Sequence, residues 1–180
     1  HHAVGTYGEM ESSVANRTRT PRIVVHVLTT EYAVEHLRRR GILGPNESAE
    51  ASKLSGGVSS TTVLVEGASG RYVVKQPLTK LAVTDDWRVP VHRATVEAAA
   101  LERCSRLTPG HVPTVLDFDP ESYVIAMEAA PSAWREWRRL LLEGVVDPTA
   151  SATLGRLLAT WHDGTRADVE VRREFGDLGL

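Results

Sequence analysis

Hydrophobic and polar positions along the chain predict an alternation of helices and β-hairpins. Apolar residues recur at helical spacing from a capping threonine at Thr30, and Gly41 ends that pattern. Two β-branched runs, 63–66 and 71–75, flank a glycine-bounded turn and predict an antiparallel hairpin. An alanine-rich segment over about 92–107 then predicts a helix that packs through one face, which carries Val96, Ala100, Cys104 and Leu107.

The second half of the chain repeats the alternation and then becomes helical. Segment 76–90 has no clear period and is interpreted as a loop, and runs 114–119 and 123–128 predict a second hairpin. Ser132 is a candidate cap for a third helix, and Asp147 followed by Pro148 predicts the start of a fourth. Strands and helices in this order indicate an α+β fold.

Composition restricts the class of protein. The chain has 180 residues, of which 42% are apolar and 24% are charged, and this suits one globular domain, or one lobe and the start of a second. A net charge of −2 gives no electrostatic drive toward nucleic acid, so no nucleic-acid partner is expected. Cys104 is the single cysteine, which excludes an internal disulfide framework and a cysteine-based zinc cluster. The apolar runs are too short for a membrane span and no signal-peptide pattern opens the chain, so a cytoplasmic location is expected.

Three features in sequence order carry candidate chemistry. Gly56, Gly57 and Ser59 lie in a loop before the first hairpin, Lys75 ends its second strand, and Glu97 lies in the following helix. A glycine loop with hydroxyls and free backbone N–H groups can fold over phosphates. A lysine on a rigid strand can then contact phosphate oxygens, and a helical glutamate can hold that lysine in place.

Each feature also has an ordinary structural explanation. A Gly-Gly pair before a strand commonly forms a tight turn, and a lysine at a strand end is commonly solvated. Arg93 precedes Glu97 by four residues, so an intrahelical ion pair would account for that glutamate equally well. The ordered combination of the three features favours phosphate binding.

Several blocks of sequence resemble the amino-terminal lobe of the aminoglycoside phosphotransferase family and its relatives, which include methylthioribose kinase and choline kinase. The resemblance spans about residues 30–180, and its order is more specific than any single block. The matching blocks are Leu54–Ser59, Val73–Gln76, Val96–Leu101, Val112–Asp119, Ile125–Glu128 and, for the helix that opens the second lobe, Leu154–His162.

The resemblance implies a protein-kinase-like fold, in which an antiparallel sheet with one packed helix is followed by helices that begin a second lobe. It makes residues 23–130 an ATP-binding lobe and residues 131–180 the start of an incomplete second lobe, whereas the lack of apolar periodicity over 1–22 predicts a disordered tail. Such a protein transfers the γ-phosphate of ATP to a hydroxyl of a small substrate. By position, Gly56, Gly57 and Ser59 would cover the phosphates, Lys75 would contact them with Glu97 as its partner, and Met127, Glu128 and Ala129 would form the hinge that binds adenine.

The catalytic part of the family pattern is missing from this sequence. Phosphoryl transfer in these enzymes uses an aspartate in a His-Gly-Asp or His-Arg-Asp loop, a following asparagine and a second aspartate for Mg²⁺. His162-Asp163-Gly164 has the wrong residue order, and Asp177 lacks both the histidine before it and the asparagine after it. We therefore assign no catalytic or metal-binding residue, place the magnesium ligands in the missing part of the second lobe, and expect these 180 residues alone to be inactive.

An alternative of another class is a stand-alone nucleotide-binding or protein-binding module that performs no chemistry. Such a module would have to cover the apolar face of the helix over 150–161, either as a homodimer or with a partner. The acceptor substrate stays open, because in this family its contacts come mainly from the second lobe.

Overall fold

The computed structural model of the chain describes residues 27–176, so the predicted tail over 1–22 and Asp177 lie outside the described residues. Within this range five strands and five helices alternate along the chain, which confirms the α+β class. In chain order they are α1 (Thr30–Arg39), β1 (Ala49–Lys53), β2 (Ser60–Gly67), β3 (Gly70–Pro77), α2 (Arg93–Leu107), β4 (Val115–Asp119), β5 (Val124–Glu128), α3 (Trp137–Leu142), α4 (Pro148–Thr165) and α5 (Val169–Phe175).

The five strands form one antiparallel sheet in the order β1-β2-β3-β5-β4. Both predicted hairpins are confirmed, and β5 lies between β3 and β4 because α2 joins β3 to β4. Side chains alternate between the two faces of the sheet, since successive residues of a strand point to opposite sides. This alternation assigns the strand residues to two faces of the sheet, one covered by α1 and the other partly covered by α2.

Helix α1 covers one face of the sheet and seals it. Ala33 and Leu37 of the helix are fully buried against Val63, Val65 and Val74, all exposed by 1% or less. Burial of apolar surface contributes about 25 cal/mol per Å², so this closed layer provides much of the stability of the sheet and α1. The α1 face is therefore the main hydrophobic core.

Helix α2 covers only part of the opposite face. Its residues Ala94 and Ala98 are buried against Ile125 and Met127, and Leu101 packs beside them. The sequence pattern instead favoured a buried face through Val96 and Leu107 of the same helix; these residues are only half-buried. The difference arises because α2 packs between two layers: Leu107 lies so close to Gly164 that a Cβ there would approach its side chain to 2.8 Å.

Strand β1 was missed by the sequence analysis, which began its strands at 63. The segment Ala-Glu-Ala-Ser-Lys carries no β-branched residue, and it becomes a strand because its backbone pairs with β2 from Ala49–Gly67 to Lys53–Val63. As an edge strand it stays polar and exposed, which is typical of edges that avoid pairing with other chains.

Two helix starts differ from their predicted positions. The first helix is capped by Thr29, whose hydroxyl accepts from the Tyr32 N–H at 3.1 Å, and not by Thr30. Ser132 does not cap α3, because residues 131–134 form a turn closed by a bond from the Trp134 N–H to the Pro131 carbonyl at 3.0 Å. The predicted start of α4 is confirmed, since the Asp147 carboxylate accepts from the Thr149 N–H at 2.8 Å.

Helices α3 to α5 are largely exposed. Leu142 and Val146 are 74% and 70% exposed. On α4, Leu154 and Leu158 are 37% and 42% exposed, as expected for the apolar side of the helix over 150–161. Trp134 is 64% exposed, because it lies in the turn closed on Pro131 and outside the helix. No helix within 27–176 has the length and hydropathy of a membrane-crossing segment.

Candidate functional site

The glycine loop joins β1 to β2 at one end of the sheet. Gly56 has φ +96°, a backbone conformation that L side chains rarely adopt, and a Cβ on Gly57 would lie 3.1 Å from the Ser60 carbonyl oxygen. Both positions therefore favour glycine. The loop is exposed from Leu54 to Val58, and its Leu54 N–H donates to the Thr62 carbonyl at 2.9 Å.

Lys75 and Glu97 form an ion pair beside this loop. The Lys75 Nζ donates to the Glu97 Oε1, and the two side chains are 26% and 37% exposed. Because β2 and β3 are antiparallel, the loop before β2 and Lys75 near the end of β3 lie at the same end of the sheet. Glu97 reaches the lysine because it shares the sheet-facing stripe of α2 with Ala94 and Ala98.

An apolar row extends from the ion pair across the sheet. Leu64 of β2 pairs in register with Val73 of β3, and Val73 pairs with Met127 of β5. Directly opposed residues have side chains on the same face, and Val73 shares its face with Lys75, two residues along. Leu64 and Val73 are half-buried, whereas Met127 is 7% exposed. The sequence analysis missed Leu64 and Val73, since strand register can be assigned only once the pairing is known.

Of the residues predicted as the hinge, Met127 and Glu128 form the end of β5 and Ala129 follows the strand. The Glu128 N–H donates to the Thr114 carbonyl at 3.0 Å, and the Ala129 N–H donates to the Arg71 carbonyl at 3.0 Å. The carbonyl of the exposed Ala130 accepts from the Arg71 guanidinium at 2.9 Å. Two of the three predicted hinge residues, Glu128 and Ala129, thus donate their N–H groups to carbonyls of the protein itself.

Arg93 departs from the simplest sequence interpretation. Its guanidinium does not pair with Glu97; it donates to four backbone carbonyls, those of Ser59, Leu78, Val89 and Pro90. The helical spacing of Arg93 and Glu97 predicted an intrahelical ion pair, but Glu97 is held by Lys75 instead. No sequence signal identifies the carbonyl partners, because they come from three separate segments.

Several proteins of known activity are similar in sequence to this chain. The chain is 34% identical over 135 residues to the methylthioribose kinase of Pectobacterium atrosepticum, and it is similarly related to that of Pectobacterium carotovorum; in both, the match covers 73% of this chain. The methylthioribose kinase of Yersinia pseudotuberculosis is 31% identical over 138 residues, or 74% of this chain. The chain is thus similar to small-molecule kinases.

The similarity to methylthioribose kinases concerns a part of those proteins. The matched segment covers 34% of the length of each of these relatives. No family model matches the chain. The resemblance to methylthioribose kinase noted from the sequence is therefore supported at the level of a kinase-like family.

Clusters of metal-ligating side chains and a reactive cysteine would be two other sources of chemistry within residues 27–176. No group of three or more histidine, cysteine, aspartate or glutamate side chains in that range is placed to hold an ion. Cys104 is half-buried, and burial raises the pKa of its thiol, so it is a poor nucleophile at neutral pH.

Proposed function

We propose that this chain is the ATP-binding portion of a small-molecule kinase that transfers the γ-phosphate of ATP to a hydroxyl of its substrate. The observation that carries the proposal is the Lys75–Glu97 ion pair at the end of the sheet where the glycine loop lies. A lysine fixed in this way offers one positive charge to phosphate oxygens without having to be reoriented. The similarity to methylthioribose kinases supports the same class of reaction.

In this proposal the two parts of the loop act differently. Gly56 and Gly57 let the backbone approach the phosphates closely, because a side chain at either position would be strained or crowded. Ser59 contributes its hydroxyl at the point where the loop enters β2. The backbone N–H groups of the exposed loop then donate to phosphate oxygens.

The adenine would lie against the apolar row and beside the hinge. Leu64 and Val73 supply a half-buried surface for the flat ring, and Met127 closes the row. Because the N–H groups of Glu128 and Ala129 already donate to protein carbonyls, we assign the donor to the next residue, Ala130. The carbonyl groups of the hinge remain acceptors for the exocyclic amine of the base.

Binding of Mg-ATP to the 180-residue chain, measured by isothermal titration calorimetry, tests the proposal. We expect Lys75→Ala and Glu97→Gln to weaken binding, the lysine variant by about 10- to 100-fold because a charged contact to the phosphates is lost. Lys53→Ala is the matched control: Lys53 pairs with Val63 and so lies on the α1 face, yet the change in charge is the same. Equal effects of the Lys53 and Lys75 variants, or no binding to the folded chain, would contradict the proposal.

The acceptor is proposed only as a class, a small molecule that carries a hydroxyl. Methylthioribose is the first compound to test, because the relatives are named for it. Release of ADP from Mg-ATP is measured with and without methylthioribose. Because these 180 residues contain none of the catalytic-loop residues, we expect nucleotide binding without acceptor-dependent release, and acceptor-dependent release would contradict the expectation that they are inactive alone.

A further inference from the structure

Arg93 connects three segments that surround the proposed phosphate site. Its Nη2 donates to the carbonyl of Ser59, at the end of the glycine loop, and to that of Leu78, just beyond β3, at 3.0 Å for Leu78. Its Nη1 donates to the carbonyls of Pro90 at 3.0 Å and Val89 at 3.4 Å, in the segment that leads into α2. One side chain therefore ties the loop, the lysine strand and the helix together.

These contacts leave Arg93 little capacity to bind a ligand directly. Each terminal nitrogen of a guanidinium carries two N–H groups, and each of these two nitrogens has two carbonyl acceptors. A phosphate oxygen would have to displace one of these carbonyls, which would leave a partly buried acceptor unpaired. Arg93 is thus placed to hold the protein, and the phosphates are left to Lys75 and the loop.

Because of the position of Arg93 in α2, these contacts also affect where Glu97 lies. Arg93 is the first residue of α2, and Glu97 follows it by about one turn on the same side of the helix. The N-cap residue His92 makes no side-chain capping bond, so the guanidinium supplies the polar anchor at this end of the helix. Movement of this end would carry Glu97 away from Lys75.

The glycine loop is held by the same group of bonds. The Ser59 carbonyl accepts from Arg93 and also from the Leu78 N–H at 2.9 Å, and the neighbouring Val58 carbonyl accepts from the Ala82 N–H at 2.8 Å. The loop and the segment after β3 are therefore paired, and Arg93 lies at that junction.

We infer that Arg93 is a positioning residue that fixes the glycine loop and the Lys75–Glu97 ion pair relative to each other, so that both meet the phosphates of one nucleotide. This inference rests on the proposed function for its consequence in ATP binding, but the coupling itself is a property of the protein without nucleotide. The two can therefore be tested separately.

The first measurement is amide hydrogen exchange of the 180-residue chain without ligand. In Arg93→Gln we expect faster exchange at Leu78 and Ala82, whose N–H groups donate into the loop, and no change at Val63 and Val65 in the α1 core. Arg103→Gln is the matched control, because Arg103 is a partly buried arginine of the same helix whose partners are Asp168 and Glu174 near the other end of the chain. If Arg93→Gln does not fold, Arg93→Lys takes its place, since lysine keeps the charge but loses the planar fork.

The second measurement is a double-mutant cycle in Mg-ATP affinity. We expect Arg93→Gln to weaken binding by about tenfold, and Glu97→Gln to add little further in that background, because the glutamate is no longer held in place. Arg103→Gln should bind ATP as the unaltered chain does. Additive effects of the Arg93 and Glu97 substitutions would overturn the positioning role.

The outcomes separate the two proposals. Faster exchange at Leu78 and Ala82 in a chain that binds no ATP would support the coupling and overturn the proposed function. Unchanged exchange and unchanged affinity in Arg93→Gln, in a chain that does bind ATP, would overturn the role of Arg93 and leave the proposed function standing.

Discussion

Replacement of Lys75 by methionine should cost the protein little stability and most of its ATP affinity. The Lys75 and Glu97 side chains are 26% and 37% exposed, so water screens their attraction and replaces it when it is lost. Ion pairs of this exposure contribute about 0.2–1 kcal/mol to folding. We therefore expect the free energy of unfolding to fall by less than about 1 kcal/mol, because methionine also preserves the packing of the side-chain stem.

Urea denaturation followed by tryptophan fluorescence measures that change, with Val74→Ala as the control. Val74 neighbours Lys75 on β3 but faces α1 and is 0% exposed, so its truncation should cost about 2 kcal/mol. The same two variants should rank in the opposite order in Mg-ATP affinity. A loss of more than about 2 kcal/mol on Lys75→Met would refute the reasoning, since it would make the ion pair a structural element of the core.

Three further predictions follow from other parts of the lobe. Gly56→Ala, at φ +96°, should lower the free energy of unfolding by about 1 kcal/mol and weaken Mg-ATP binding, as seen by denaturation and calorimetry. Gln76→Leu should cost about 2–4 kcal/mol in urea denaturation, because the buried Gln76 accepts from the Leu28 N–H and donates to the Ser122 carbonyl, and both would lose that bond. Burial lowers the pKa of His36 despite nearby carboxylates, so the native state binds fewer protons than the unfolded state. The unfolding free energy should therefore fall as the pH drops below about 6.5. The substitution His36→Gln should remove this part of the pH profile, measured by denaturation.

The carboxylates near His36 do not obscure its titration. Asp117 lies 3.5 Å from the His36 Nε2 and pairs with Arg40. For Asp119, burial raises the pKa, but hydrogen bonds from Ser122 and Glu121 outweigh it and keep the pKa below its ordinary value. The stability that Asp119 contributes is therefore lost at pH values below about 4, whereas the loss caused by His36 begins below about 6.5. A profile that is flat from pH 7.5 to 5 would contradict the assignment.

The sequence predicted the parts of this fold that depend on local pattern. The β2–β3 hairpin follows from two β-branched runs around a glycine turn, and α4 follows from Asp147 before Pro148. Strand β1 could not be predicted in this way, because its residues have low strand propensity and pair only when β2 is present. Similarly, Trp134 has helical spacing to Trp137 but lies in a turn closed on Pro131.

The same distinction applies to the candidate site, where some residues could be predicted from local pattern and others could not. Gly56, Gly57, Lys75 and Glu97 could be singled out from residue types in order, and the structure brings Lys75 and Glu97 into contact. The partners of Arg93 could not be identified, because one arginine meets carbonyls from residues 59, 78, 89 and 90, and carbonyl groups are common to every residue. Side-chain patterns therefore locate charged pairs more readily than they locate the backbone contacts that orient them.

The two faces of the sheet have different roles, and this difference explains why the candidate site can be exposed without loss of stability. On β3, alternate residues point to opposite faces: Val74 is fully buried under α1, whereas Val73 and Lys75 are half-buried on the α2 face. The closed face supplies the apolar burial, so the open face is free to keep a charged pair and an apolar row accessible to a ligand. On this reasoning α2 must be positioned by polar contacts at its end, because it buries only Ala94 and Ala98 against the sheet. The guanidinium of Arg93 provides such contacts where the apolar packing is thinnest.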